Sequence, residues 1–200
     1  KSMIETRPDW CVSRQRVWGV PLPIFISKKD EKVLVDEEVF NNIANIFEKE
    51  GSDCWFEDNK QKFLGKKYNE NDFYQTTDIV EVWFDSGSTH SFVLEQRDDL
   101  KWPASLYLEG SDQHRGWFHS SLLESCGTRG EAPFEAILSH GFVVDGKGLK
   151  MSKSLGNVIS PEEILKKYGA DILRIWVAAS NYAEDLRIDH KILEQHADAY

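Results

Sequence analysis

The chain has 200 residues, 40% of them hydrophobic and 29% charged, and its formal net charge is −10 at pH 7. This length and composition are ordinary for a globular protein and suffice for one domain with its own core, or for one domain with a small insert. The excess of 34 acidic over 24 basic residues argues against a small nucleic-acid-binding domain, although a large enzyme can place its RNA-binding surface in another domain.

The apolar runs and the cysteines of the sequence indicate in which compartment the protein is expected. No apolar run is long enough to span a membrane and no signal peptide precedes the first charges, which favours a cytoplasmic protein without membrane contact. The three cysteines, Cys11, Cys54 and Cys126, are widely spaced and form no CxxC pair. They predict reduced thiols, and they argue against a disulfide framework and a zinc ribbon.

The first segment, residues 7–26, mixes three arginines, two tryptophans and three prolines. It predicts irregular backbone and then a strand over Leu22–Ile26, which Pro21 and Pro23 confine to a sheet edge. Its arginines and tryptophans either stack on a domain surface or contact a ligand, and the residues alone leave both interpretations open.

Residues 33–75 have the character of a small insert. Asp36 predicts the N-cap of a helix with acidic residues in its first turn, and Gly51 predicts the end of that helix. The aromatic residues over 55–68 favour anchors that tie the insert to the main body over stacking on RNA. The apolar positions of the helix recur at helical spacing: Val39, Phe40, Ile43, Ile46 and Phe47.

The next motif surrounds Trp83. The segment Ile79–Phe84 is apolar apart from Glu81 and predicts a short buried strand or helix, followed by a turn over Asp85–Ser88. Trp83 is then either the edge of a small-molecule pocket or plain core, and both remain open at this point.

A strand–turn–helix unit follows. The pattern predicts a strand over Ser105–Leu108, a tight turn over Glu109–Ser111 and a helix over Asp112–Cys126, which Ser111 or Asp112 caps. The packed side of this helix is predicted to carry Trp117, Phe118, Ser121, Leu122 and Cys126.

The start of that helix is a candidate ligand-binding position. Folds of the α/β class bind ligands at the C-terminal edge of a parallel sheet, where strands feed helices through glycine turns. Asp112, Gln113 and His114 are therefore placed to bond a ribose or an adenylate. Taken singly, His114 is more often a surface or capping residue than a catalytic base.

A second strand over residues 136–144, broken at Gly141, leads into the lysine segment, residues 146–157. This segment places Lys147, Lys150 and Lys153 among glycines and small hydroxylated residues, a composition that can hold an anion such as a polyphosphate. It lacks the spacing of a P-loop. A mobile, solvated lysine turn is the alternative on composition alone.

The C-terminal part predicts three helices. Ser160 and Pro161 form a capping-box start, and Gly169 ends that helix. A second helix begins within Ala170–Ser180, and Asp189 opens the last one.

Four of these segments resemble one enzyme family, in one order. Lys150–Ser154 reads KMSKS, the signature of class I aminoacyl-tRNA synthetases. Residues 7–23 (RPDWCVSRQRVWGVPLP), 80–90 (VEVWFDSGSTH) and 107–118 (YLEGSDQHRGWF) resemble the isoleucyl type of that family, except that Glu81 stands in place of an aspartate.

The resemblance implies an α/β fold: the second half of a class I Rossmann-like catalytic domain, with a small α+β insert and a C-terminal helical junction. It divides the chain into a re-entry segment of the catalytic domain (1–32), the insert (33–75), the Rossmann-like half with the KMSKS loop (76–159) and a junction toward an anticodon-binding domain (160–200).

The implied activity is ATP-dependent activation of isoleucine to isoleucyl-adenylate, with release of pyrophosphate, and transfer of the isoleucyl group to its tRNA. The implied catalytic residues are Lys150 and Lys153. The residues implied to bind the aminoacyl-adenylate are Glu109, Gly110, Asp112, Gln113, Trp83 and Trp117. Those implied to bind ATP are His140, Gly141, Phe142, Val143, Met151, Ser152 and Lys153.

The resemblance also bears on cofactors and partners. Mg²⁺ is expected alongside ATP, zinc is not expected because residues 26–30 lack the cysteines that some relatives carry there, and the protein is expected to be a monomer. The HIGH signature, the editing insertion and the anticodon-binding domain are not among these residues, so the 200 residues alone are expected to be inactive. A non-catalytic nucleotide-binding module and a sister enzyme for valine or leucine are the alternatives.

Overall fold

A computed structural model describes residues 2–200 as a mixed α/β chain in two compact units, the first extending to Thr89 and the second covering His90–Tyr200. The helices are Ser2–Glu5 (α1), Glu37–Glu50 (α2), Lys60–Leu64 (α3), Val82–Gly87 (α4), Trp117–Arg129 (α5), Pro161–Tyr168 (α6), Ala170–Ala179 (α7) and His190–Ala199 (α8). The strands are Ser13–Arg14 (β1), Phe25–Ser27 (β2), Phe73–Gln75 (β3), Ile79–Val80 (β4), Tyr107–Gly110 (β5), Ile137–His140 (β6), Val143–Asp145 (β7) and Leu186–Ile188 (β8). Short 3₁₀ turns cover Ser52–Phe56, Glu70–Asp72, Ser111–Arg115 and Lys153–Leu155, and a π-helical turn covers His90–Leu94.

The strands of the two units pair differently. In the first unit β1 pairs with β4 and β2 with β3, both antiparallel. In the second unit β5 pairs with β6 and β7 with β8, both parallel. Parallel neighbours need a crossover connection, and here α5 connects the first parallel pair while α6 and α7 connect the second. The expected α/β character is therefore present in the second unit.

Helix α2 confirms the prediction made from its end signals. The Asp36 carboxylate accepts a hydrogen bond from the Glu38 N–H at 2.9 Å, and Gly51 ends the helix with φ of 82°, a value that favours glycine. The buried side of the helix holds Val39, Ile43 and Ile46. Phe40, another of the apolar positions at helical spacing, is 41% exposed.

An aromatic cluster forms the core of the first unit. Trp55 is 0% exposed, and its ring centroid lies 5.1 Å from that of Phe25 and 5.0 Å from that of Phe63. The Trp55 indole N–H donates to the Thr76 carbonyl at 2.8 Å, so its one polar atom is satisfied. The aromatic residues predicted to tie an insert to a main body thus mainly pack on one another, with Phe25 as a partner from outside residues 33–75.

Two short elements of the first unit differ from the prediction. The strand expected over Leu22–Ile26 runs over Phe25–Ser27 instead, because Pro23 cannot donate to a ladder. The turn expected over Asp85–Ser88 is largely the end of helix α4, which starts because the Glu81 carboxylate accepts a hydrogen bond from the Trp83 N–H. A capping carboxylate that directly precedes the helix outweighs the turn-forming residues that follow.

The helix predicted over Asp112–Cys126 is divided. A 3₁₀ turn covers Ser111–Arg115, and α5 begins only after Gly116, whose ψ of −119° interrupts the helical path. Neither Ser111 nor Asp112 caps α5: the Gln113 side-chain oxygen instead accepts from the Trp117 N–H at 2.9 Å. Cys126 was wrongly placed on the packed side, because it is exposed. The side chains that α5 buries are Phe118, Ser120, Ser121 and Ser125.

The C-terminal helices confirm most of their predicted boundaries. Pro161 is the first residue of α6, Gly169 ends it, and the Asp189 carboxylate caps α8 by accepting from the Ile192 N–H at 2.7 Å. Ser160 precedes α6 without the predicted side-chain hydrogen bond. These helices enclose a second core of Ile164, Ile172, Trp176, Ile188 and Leu193.

The helices and the cysteines bear on the membrane and redox predictions. Within residues 2–200, no helix combines the length and the apolar character that a membrane crossing requires. The three cysteines are free thiols: Cys54 is buried, whereas Cys11 and Cys126 are exposed.

Candidate active site

The candidate site lies at the C-terminal ends of β5 and β6. In this parallel pair Glu109 is the register partner of Ser139, and Gly110 is the partner of His140. Side chains alternate between the two faces of a sheet, so Glu109 and Ser139 share one face and the two residues that follow them share the other. The strand end therefore offers two differently composed surfaces.

The first face is covered by α5. The Tyr107 ring stacks on the Trp117 ring at a centroid distance of 4.3 Å with an interplanar angle of 8°, and the Tyr107 hydroxyl is hydrogen-bonded to the Ser121 hydroxyl at 3.1 Å. Burial raises the pKa of Tyr107 above its ordinary value. Trp117, one of the residues implied to bind the adenylate, thus has one ring face against Tyr107.

The 3₁₀ turn after β5 brings three polar residues to this strand end. The His114 ring Nε2 is hydrogen-bonded to the Ser139 hydroxyl at 2.9 Å, which links the turn to β6. Gln113 is held by the Trp117 N–H and by the Asp112 carboxylate, which its amide reaches at 3.2 Å. The 3₁₀ turn thus places Asp112, Gln113 and His114 at the C-terminal end of the β5–β6 pair, although they precede α5 and do not form its first turn as the sequence predicted.

The second face carries a largely apolar pocket of about 500 Å³. All four residues of the stretch His140–Val143, which the resemblance implied for ATP, lie in its wall. The remaining lining residues are Leu108, Leu138, Tyr182 and Leu186. No local sequence signal marks Tyr182 or Leu186, because they enter the pocket only through the pairing of β8 with β7.

Gly141 allows this wall to form. A Cβ atom at Gly141 would lie 2.2 Å from the Glu184 carbonyl oxygen and 2.6 Å from the Asp185 nitrogen, so no larger residue fits without a backbone shift. The Gly141 N–H donates to the Tyr182 carbonyl at 2.9 Å, and the Phe142 N–H donates to the Asp185 carboxylate at 2.8 Å. Close backbone contact thus holds the 140–143 stretch against the segment that precedes β8.

The lysine segment continues directly from β7. Its backbone returns so that Lys150 bridges to Val144 in antiparallel fashion, and a 3₁₀ turn over Lys153–Leu155 follows. Ser152 caps that turn, since its hydroxyl accepts from the Leu155 N–H at 3.2 Å. Within residues 2–200, neither Lys150 nor Lys153 is in an ion pair with a carboxylate, and both are exposed. The structure therefore presents two exposed ammonium groups on a turned backbone.

Trp83 belongs to the first unit, where it follows the cap of α4. Its side chain is 43% exposed, so it is not plain core. The preceding Glu81 is buried and lies 3.7 Å from the Arg14 guanidinium. Burial raises the pKa of the neighbouring Asp85, and the charge of Glu81 raises it further.

The described residues 2–200 contain no group of three or more His, Cys, Asp or Glu side chains arranged to hold a metal ion. The His114 imidazole is hydrogen-bonded instead to the Ser139 hydroxyl.

Comparison with known proteins identifies the family. The family model of the class I tRNA synthetases for isoleucine, leucine, methionine and valine matches residues 1–189, which is most of the chain. The chain belongs to this class I synthetase family. The resemblance to the class I synthetases is thereby confirmed.

Two similar proteins of the class I synthetases are both isoleucine–tRNA ligases. The isoleucine–tRNA ligase of Pelagibacter ubique (strain HTCC1062) is 78% identical over 200 residues, which are all of this chain and 22% of that protein. The isoleucine–tRNA ligase of Brucella abortus biovar 1 (strain 9-941) is 57% identical over 201 aligned residues, covering all of this chain and 20% of that protein. The chain thus spans about a fifth of the length of the curated relatives it matches.

A solved class I synthetase supports the fold. The LeuRS of Agrobacterium radiobacter K84 agnB2, in a ternary complex with tRNA and LeuAMS, matches 95% of this chain and 26% of its own, with a TM-score of 0.66 and 21% sequence identity. At this identity the match concerns the fold alone.

Proposed function

We propose that this chain forms part of the catalytic region of an isoleucine-activating class I tRNA synthetase. The observation that carries the proposal is that β7 connects the pocket wall His140–Val143 directly to the turned, lysine-bearing KMSKS segment within one unit. The names of the relatives support isoleucine as the amino acid and do not favour a sister enzyme for valine or leucine. The alternative of a non-catalytic nucleotide-binding module lacks comparable support.

The proposed reaction has two steps. The isoleucine carboxylate attacks the α-phosphorus of ATP and pyrophosphate leaves. A hydroxyl of the terminal ribose of the tRNA then attacks the isoleucyl carbonyl of the adenylate, the ester bond forms as the hydroxyl proton is lost, and AMP leaves. Negative charge builds on the bridging oxygen and pyrophosphate in the first step, so an ordered ammonium group stabilises the transition state more than the ground state. We assign this role to Lys153, with Lys150 in support. No nucleophilic side chain is needed, because positioning of the two reactants supplies much of the remaining acceleration.

Geometry supports one of the proposed binding roles, that of the pocket residues, and the others are proposed from the family resemblance. An apolar pocket bordered by Gly141 suits the flat face of a base, so we propose that His140, Gly141, Phe142 and Val143 receive the adenine of ATP. Met151, Ser152 and Lys153 are proposed for the phosphate side. We propose that the adenylate and its amino acid contact the other strand-end residues, namely Glu109, Gly110, Asp112, Gln113 and Trp117. The same role is proposed for Trp83 of the first unit on its resemblance alone.

The finer architecture is proposed as well. The parallel pair β5–β6 is compatible with half of a Rossmann-like domain over residues 76–159, whereas β8, the partner of β7, lies beyond that range. We propose residues 1–32 as its re-entry segment, 33–75 as an insert whose aromatic core also includes Phe25, and 160–200 as the junction toward an anticodon-binding domain. The proposal further includes Mg²⁺ arriving with ATP, no bound zinc, a monomeric state and a cytoplasmic location. Elemental analysis of protein purified without added metal tests the zinc statement, which stoichiometric zinc would overturn.

Isoleucine-dependent exchange of pyrophosphate into ATP tests the function. We expect exchange with a polypeptide of the relatives' length that contains these 200 residues, and little with the 200 residues alone. In the longer polypeptide Lys153→Ala should lower the rate constant of adenylate formation by about 10²- to 10³-fold and leave the isoleucine dissociation constant nearly unchanged.

Lys166→Ala, which removes an exposed lysine from α6, is the matched control and should leave the rate unchanged. An unchanged rate constant with weaker isoleucine binding in Lys153→Ala would show that the lysine segment serves the amino acid and not ATP. Absence of exchange in the longer polypeptide would overturn the proposed activity.

A further inference from the structure

Two side chains at the borders of the lysine segment are joined to each other. The Asn157 amide nitrogen donates to the Asp145 carboxylate oxygen Oδ2 at 2.9 Å. Asp145 is the last residue of β7 and the register partner of Ile188 in β8, so one end of this contact is fixed in a sheet. Lys147, Lys150 and Lys153 all lie in the backbone between the two joined residues.

The Asp145 carboxylate organises the first half of the segment. Its Oδ1 atom accepts from the Lys147 N–H at 2.9 Å and from the Leu149 N–H at 2.8 Å. The backbone closes the same turn, because the Asp145 N–H donates to the Leu149 carbonyl and the Gly148 N–H donates to the Asp145 carbonyl. These hydrogen bonds, with that of Asn157 first, hold the pKa of Asp145 below its ordinary value. The carboxylate is therefore committed to the protein's own donors.

The Asn157 amide organises the second half. Its oxygen accepts from the Ser152 N–H at 2.9 Å, and its nitrogen, besides bonding Asp145, donates to the Lys150 carbonyl at 3.2 Å. The three hydrogen bonds fix the orientation of this amide. If it were rotated by 180°, its oxygen would face the Asp145 carboxylate and the Lys150 carbonyl, which are both acceptors, and its NH₂ group would face the Ser152 N–H, which is a donor. Asn157 thus fixes the backbone on both sides of Met151.

We propose that Asp145 and Asn157 form a clamp of positioning residues that holds the lysine segment in one conformation and so directs Lys150 and Lys153 toward the reacting phosphates. This proposal rests on the proposed function of the segment as the ATP-reaction loop. The physical reason is preorganisation: an exposed lysine contributes to a transition state only as far as its backbone is already placed, and about 1 Å of misplacement can cost on the order of 100-fold in rate.

The clamp differs from a surface contact between two side chains because both residues also bond backbone groups of the segment. Together the two residues fix four backbone groups of the segment, at positions 147, 149, 150 and 152. Removal of Asp145 leaves the N–H groups of residues 147 and 149 to water and takes the carboxylate from the turn at Gly148, whose φ is 83°. Removal of Asn157 leaves the Lys150 carbonyl and the Ser152 N–H to water. The segment would sample many conformations, which lowers the fraction with both lysines in place.

The test uses three variants of a polypeptide of the relatives' length that contains this chain, at pH 8. Asn157→Asp places two carboxylates against each other, Asp145→Asn places two amides there, and the swap Asp145→Asn with Asn157→Asp restores one amide facing one carboxylate without changing the net charge. We expect each single variant to lower kcat for pyrophosphate exchange by about 10- to 100-fold with an unchanged isoleucine KM, and the swap to regain at least about tenfold.

Hydrogen exchange of the peptide covering residues 145–157, read by mass spectrometry without substrates, is the second readout. It should accelerate in both single variants and slow again in the swap, while urea unfolding of the whole polypeptide stays near that of the parent protein. Asn59→Asp is the matched control: it adds the same charge at an exposed position whose side chain makes no capping hydrogen bond, and should alter neither readout.

Each outcome bears on the proposal. Unchanged hydrogen exchange in the single variants would overturn the clamp itself. Accelerated hydrogen exchange with unchanged kcat would show a clamp that does not position the lysines, which also overturns the proposal. A swap that regains neither readout would show that the two residues act separately. Absence of isoleucine-dependent exchange in the parent protein would instead overturn the proposed function, and hydrogen exchange would still decide whether the clamp holds the segment.

Discussion

The core of the first unit and the pocket of the second are both lined by large apolar side chains, yet the two regions expose them very differently. Trp55 and Phe63 are completely buried, and their rings lie in mutual contact. Phe142 and Tyr182, in the pocket wall, are about half exposed. The difference indicates that burial of apolar area maintains the first region, whereas backbone hydrogen bonds and a glycine contact maintain the second.

This comparison separates stability from function. Substitutions in the aromatic core should change the free energy of unfolding and reach activity only through folding. Substitutions in the pocket wall should change ATP binding more than stability, because half-exposed side chains contribute little to the core.

Trp55→Ala should have the largest effect on stability. It removes a fully buried indole, leaves a cavity among Phe25, Phe47 and Phe63, and also leaves the Thr76 carbonyl without its donor. We expect a loss of about 3–5 kcal/mol in the free energy of unfolding, measured by urea denaturation. Phe56→Ala, one residue away but 45% exposed, is the control and should cost far less. Similar losses from both would contradict the packing described here.

Gly141→Ala should have the next largest effect. The added methyl group meets backbone atoms of Glu184 and Asp185, which cannot rotate away, so we expect a loss of about 1–3 kcal/mol together with weaker ATP binding. Gly127→Ala is the matched control, since nothing lies within 4 Å of a Cβ there and alanine favours the helix by about 0.5–1 kcal/mol. A neutral Gly141→Ala would show that residues 182–186 do not lie against residue 141.

Tyr182→Ala tests whether the pocket wall contributes to ATP binding more than to stability. The side chain is 55% exposed, so the loss in stability should stay below about 1 kcal/mol. If the pocket receives adenine, loss of one aromatic wall should raise the KM for ATP by about 2- to 10-fold. Tyr74→Ala, an equally exposed tyrosine of the first unit, should leave that KM unchanged. An unchanged KM in both variants would remove adenine from this pocket.

Asp36→Asn should have the smallest effect, and its size should depend on pH. Hydrogen bonds from Lys67 and Tyr68 hold the pKa of Asp36 well below its ordinary value. The folded state therefore favours the ionised carboxylate, and this stabilisation is present above about pH 4 and disappears as the pH falls further. Urea unfolding at pH 7 and pH 3 should show Asp36→Asn less stable at pH 7 and closer to the parent protein at pH 3.

Asp30→Asn removes the same charge from an exposed turn and is the control for net charge. A stability difference between Asp36→Asn and the parent protein that does not change with pH would show that the cap acts without its charge.

The comparison also explains which features the sequence predicted. Helix ends at Asp36, Gly51, Gly169 and Asp189 were predicted because capping residues and glycine act within a few positions along the chain. The start of α5 was misplaced because Gln113, which is not a preferred capping residue, supplies the hydrogen bond there. Local signals thus predicted both ends of α2, the end of α6 and the start of α8.

Contacts between residues far apart in the chain could not be predicted from local signals. Tyr182 and Leu186 join the pocket only because β8 pairs with β7, and no spacing in the sequence indicates that pairing. The stacking of Trp117 on Tyr107 likewise depends on how α5 crosses its strand. The resemblance to a known family placed His140–Val143 near ATP, and their lining of one pocket is compatible with that role, which remains a prediction.

The pairing of β7 with β8 has a consequence for the order of folding. The two strands are joined through residues 146–185, so their pairing must close a loop of about 40 residues, and contacts between distant parts of a chain form slowly because the closure entropy comes first. The Asp145–Leu149 turn spans only a few residues and can form on the microsecond scale of hairpins. We therefore expect the lysine segment to acquire its bend early in folding, and the pocket beside it to close only when β8 arrives.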